Sequence, residues 1–88
     1  MSNQTPTQWL EAQYDEIHYH ESRSRDLSKQ VWEHHAKAVD EDLAPEFRNA
    51  HRLAAYRKKE AQDEHWRLAF RKQQQYTKTI HSLGDENV

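Results

Sequence analysis

No cysteine occurs among the 88 residues. That excludes disulfide staples, thiolate zinc sites and a cysteine nucleophile, and it suits a reducing compartment such as the cytoplasm. Glycine occurs once, at Gly84, and proline twice, at Pro6 and Pro45. Loops that cradle phosphate need closely spaced glycines, so a nucleotide-binding loop is not expected. No apolar run approaches the ~20 residues of a membrane span, and residues 1–7 lack the basic and apolar blocks of a secretory leader. No segment alternates apolar and polar residues as a strand does, which leaves nothing on which to build a nucleophile elbow or a dinucleotide fold. Neither catalysis nor a bound cofactor is expected.

The same scarcity marks out the architecture. Proline is favoured in the first turn of a helix, where its missing N–H costs nothing, and glycine just past a helix end. Pro6 and Pro45 therefore open two long helices, and Gly84 follows the second. The expectation is one all-α domain: a helix over about 6–42, a turn at about 42–45, a helix over about 45–83 and a short tail at 84–88. A connection this short makes the helices antiparallel neighbours, an α-hairpin. The serine-rich run at 21–26 offers a break near 22–26, because Ser24 or Asp26 is a suitable cap for a new helix.

Stepping 100° per residue, each half shows one apolar face. In the first half Trp9, Leu10, Tyr14, Ile17, Leu27, Val31, Trp32, Val39 and Leu43 fall within about 160°. In the second, Phe47, Ala50, Ala54, Ala61, Leu68, Ala69, Tyr76, Ile80 and Leu83 span about 120°. Pairing is expected through Leu10, Ile17, Val31, Ala54, Ala61 and Leu68. With only 34% hydrophobic residues the core is modest, so association into a dimer or a larger helical bundle is an expected supplement.

Charge divides between the halves. Residues 1–46 carry a formal −6 and residues 47–88 a formal +4, which together give the net −2. An acidic helix against a basic one helps fix their pairing. The outward face of the second helix also gathers Arg52, Lys59, Arg67, Arg71 and Lys78, a pattern suited to nucleic acid or an acidic partner, although Glu60 and Asp63 interrupt it.

Seven histidines invite a search for metal ligands. Neither a His-x-x-x-His clamp nor paired Glu-x-x-His elements occur, so no metal site is expected; His20, His35, His51 and His65 are read instead as interfacial groups with hydrogen-bond partners. What remains is a surface for binding. The reading is a small helical interaction module, an adaptor, regulator or inhibitor docked on a larger protein through Trp9, Tyr19, Trp32, Tyr56, Trp66 and Phe70. Nucleic-acid binding by the basic face and a structural homo-oligomer are the alternatives.

Overall fold

The computed structural model describes residues 5–86 and consists of two helices, α1 (Pro6–Ala38) and α2 (Pro45–Glu86), packed antiparallel along their length. At about 1.5 Å per residue a helix of 42 residues runs about 63 Å, which matches the 65 Å long axis of the molecule. Its shortest extent is 13 Å, so the hairpin is a single layer of helix.

Each boundary has a local cause. Thr5 caps α1: its side chain accepts from the Gln8 N–H, and the Gln8 side chain accepts from the Thr5 N–H, a reciprocal capping box with Pro6 directly inside it. α1 passes unbroken through Ser24, which is buried in the interface and caps nothing. It ends at Ala38, four residues short of the expected boundary. There the Asp40 carboxylate accepts from the Asp42 N–H at 3.0 Å, and the Asp40 carbonyl accepts from the Leu43 N–H. These bonds offer the backbone a turn in place of a further helical one, at the end where the helix dipole disfavours the acidic run 40–42. Pro45 then opens α2, with the Ala44 carbonyl accepting from Phe47 and Arg48.

At the other end α2 continues through Gly84 to Glu86, so the expected stop at Gly84 is not used. Gly84 has no positive φ, and without a left-handed residue the usual glycine terminator is absent. Of the expected tail, residues 87–88 lie outside the described residues.

The buried and half-buried positions reveal a stricter repeat than the apolar residues do. In α1, Leu10, Ile17, Ser24, Val31 and Ala38 recur every seven residues, and Gln13, His20, Leu27 and His34 fill the places between them. In α2, Arg48, Ala55, Gln62, Ala69, Tyr76 and Leu83 form one sevenfold series, and His51, Lys58, His65, Lys72 and Thr79 the other. Steps of three and four residues in alternation are the seam of a left-handed coiled coil. The best-buried apolar positions are Ile17, Leu27, Val31, Ala38, Ala55 and Ala69. Half of these are alanines, which let the helices approach closely, and no large side chain is fully buried.

Several residues expected on the inner faces lie outside. Trp32 is 71% exposed, Val39 73% and Phe47 62%; Tyr14, Ala50 and Ile80 are exposed as well. A coiled coil repeats every 3.5 residues whereas a straight helix repeats every 3.6, so a face drawn at 100° per residue drifts about 20° per heptad away from the true seam. A face as much as about 160° wide also takes in positions beside the seam, and Tyr14, Trp32 and Ile80 are such positions. Leu10, Ala54, Ala61 and Leu68 are half-buried and Ile17 and Val31 buried, as the expected pairing requires.

Candidate protein-binding surface

A two-stranded seam has two flanks, and the large exposed side chains are unequally divided between them. In each helix the positions one and four residues after the first series lie on the same flank. In α1 these include Tyr14 and Trp32; in α2 they include Tyr56, Trp66, Phe70 and Ile80. All six are among the exposed large hydrophobic residues, Trp66 at 60% and Tyr56 at 63%. Shallow hollows follow this flank. Trp32 shares one with Lys59 and Gln62, Trp66 shares the next with Lys59 and Ser24, and Glu21, Trp66 and Phe70 line a third.

Of the six ring residues expected to bind, the fold thus brings Trp32, Tyr56, Trp66 and Phe70 to one flank. Trp9 and Tyr19 belong to the opposite flank, where Trp9 is half-buried and Tyr19 sits edge-on to His20 and His65. Tyr14 and Ile80 join the aromatic flank although the sequence pattern assigns them to the core. Tyr56 carries a polar handle as well: the Glu60 carboxylate one turn on raises its phenol above the usual range, by hydrogen bonding first and by charge second.

The five basic residues are all exposed but do not form one plane. Arg52 and Lys59 border the aromatic flank, Arg67 points outward, and Arg71 and Lys78 turn toward the far side. Three are engaged locally. Arg52 donates to the Asn49 side chain at 2.9 Å, Lys59 pairs with Asp63 at 3.1 Å, and Arg67 Nε donates to the Asp63 carbonyl at 3.4 Å.

The histidines divide into seam and surface. His20 Nδ1 lies 2.8 Å from His65 Nδ1, and His34 Nδ1 lies 2.9 Å from His51 Nδ1. Three of the four histidines expected at the interface are there; His35 is exposed, and its neighbour His34 takes the inward place. The signal for His34 was its distance from His20, fourteen residues or two heptads, repeated by His51 and His65. Burial is the main cause that lowers the His20 pKa, followed by the positive charge of His65 and of Lys72, against the weaker opposing pull of Glu16. Among the described residues no three metal-ligating side chains converge, and no helix is long and apolar enough to cross a membrane.

No family model, curated protein or solved structure matches this chain.

Proposed function

We propose that this chain is a helical protein-interaction module, an adaptor, regulator or inhibitor that docks on a larger protein by its aromatic flank and works without catalysis or a cofactor. The observation that carries this reading is the gathering of Trp32, Tyr56, Trp66 and Phe70 on one side of a one-layer hairpin. Folding gives those rings no reason to be aromatic. Large rings on rigid helices lose little entropy on binding and fill pockets on a partner, while Arg52 and Lys59 at the border steer an acidic surface toward them. The cysteine-free composition fits a cytoplasmic setting.

The test is affinity capture from a native lysate, with and without nuclease. Capture of a protein that survives nuclease and moderate salt, and is lost on Trp66→Ala or Phe70→Ala but kept in Arg67→Glu with Arg71→Glu, supports the reading. Binding to duplex DNA or single-stranded RNA that collapses with salt and with the arginine reversals would replace it with nucleic-acid binding. Light scattering that finds a stable oligomer closed through the same rings would replace it with a structural assembly.

A further inference from the structure

The two histidine pairs share an unusual geometry. In each, nitrogen faces nitrogen at 2.8 or 2.9 Å while the ring centroids stand 5.1 and 5.2 Å apart. The centroid separation is about the nitrogen separation plus the two ring radii, so the Nδ1 lone-pair directions run head-on. A shared metal ion would need those directions to converge at an angle, on a point about 2.0–2.1 Å from each nitrogen. The head-on arrangement fits one proton. A neutral imidazole has one donor and one acceptor nitrogen, whereas an imidazolium has only donors. A pair can therefore hold the bridge with no net charge or with a single positive charge. With two, N–H opposes N–H and the bond is lost.

On balance the surroundings work in the same direction. Lys72 disfavours a charged His20 and Glu16 opposes it more weakly, while the Tyr19 ring packs against His65. One turn from His51 on α2 stands Arg48, and one turn from His34 on α1 stands Lys37. The two sevenfold series carry Arg48, Lys58 and Lys72 and no carboxylate, while Glu21 is half-buried on one flank and Glu16 reaches Lys72 from the other. The Arg48 Nε is buried without a hydrogen-bond partner, so the seam has no spare acceptor to absorb a further cation there. Four imidazolium ions would more than double the positive charge along a seam already one-signed.

We infer that the His20–His65 and His34–His51 pairs form a two-point acid latch: the hairpin closes while each pair holds a single bridging proton and opens when acid supplies the second. The two points are two heptads apart in each helix, so they span the middle of the interface and fail together. Histidine takes its proton between about pH 5 and 8, which sets the working window above the range where carboxylates titrate. Opening also separates Trp32 from Trp66, and release of a bound partner by acid, alone among these consequences, rests on the proposed function.

The test is thermal melting of the full chain by circular dichroism between pH 7.5 and 5.0. The wild-type midpoint falls on the order of 10 °C across that range. His20→Leu with His65→Leu lessens the fall by about half, and adding His34→Leu with His51→Leu removes it. A flat wild-type midpoint, or an equal fall in the fourfold leucine variant, overturns the latch. Should that variant fail to fold, nitrogen NMR of the wild-type imidazoles at pH 7.5 decides. One ring of each pair protonated at Nδ1 and its partner bare at Nδ1 supports the latch; four rings bare at Nδ1 refute it. Partner release is read separately, by the pH dependence of capture, so its failure leaves the latch intact.

Discussion

Lys72 reaches from α2 across the seam to bond the Glu16 carboxylate of α1, the one ion pair between the helices among the described residues. The hydrogen bond from Lys72, and then its charge, holds the Glu16 carboxyl below the ordinary value of 4.5. A lowered carboxyl pKa means that the pair stabilises the fold above about pH 4.5 and that this support is lost as pH falls through the folded value. Glu16→Gln is expected to flatten the acid limb below about pH 4.5 while changing the neutral melting point little, because the Glu16 side chain is half exposed to solvent. Acid titration followed by circular dichroism checks this.

The same lysine acts in the opposite sense on His20. A lowered histidine pKa means full stability above the unfolded value near 6.5 and a loss as pH falls toward the folded one. Lys72→Met removes a cation that disfavours the charged His20. The variant should lose less stability than the wild type between about pH 6.5 and 5, yet show no Glu16 limb below. An unchanged or steeper loss in the upper window would show that Lys72 does not act on the histidine.

Burial along the seam should rank the cost of truncation. Leu27 is 4% exposed and Ile80 is 44% exposed, although the apolar pattern treats them alike. Leu27→Ala should cost about 2–4 kcal/mol, near the middle of the range for core leucines, and Ile80→Ala well under 1 kcal/mol. Denaturant melts of the two variants test the seam assignment, and equal costs would contradict it.

Close helix approach at Ala55 and Ala69, 1% and 2% exposed, predicts intolerance of size. Ala55→Leu or Ala69→Leu should cost about 1–3 kcal/mol by forcing the helices apart. Ala50→Leu, on the exposed side of α2, should be close to neutral. Stabilities of these three variants separate the sevenfold seam from the broader apolar face, since the latter places Ala50 and Ala69 together.

Gly84 lies in the last turns of α2, with nothing within 4 Å of an added Cβ. Gly84→Ala should therefore stabilise the protein by up to about 1 kcal/mol, through helix propensity alone. A lower melting point in the variant would mean that the helix does stop at Gly84. At the opposite end, Thr5→Ala removes one half of the capping box and should cost about 0.5–2 kcal/mol.

The two-helix fold was legible because its signals are local. Pro6, Pro45 and the shortage of glycine define helices without reference to any partner; the Thr5–Gln8 capping box, equally local, was added by the structure. The seam was harder to read because about half of its positions are polar. His20, His34, His51, Lys58, His65 and Lys72 obey the heptad, yet an apolar count passes over them and credits Trp32 and Phe47 instead. The aromatic flank was legible in part: Tyr56 and Phe70 fall off any inner face, whereas Tyr14 and Ile80 sit close enough to one to be taken for core.

Two helices, their antiparallel order and the absence of cysteine chemistry all follow from residue type and short-range spacing. The register does not, because it depends on contacts between the helices. Which histidine meets which depends on where α1 stops, and Asp40 stops it at Ala38 by capturing a backbone amide. A shift of one residue along α2 would part His65 from His20 and His51 from His34 alike. It would also turn the flank that carries Trp66 and Phe70, because in a coiled coil the register of one seam fixes the position of every side chain around it.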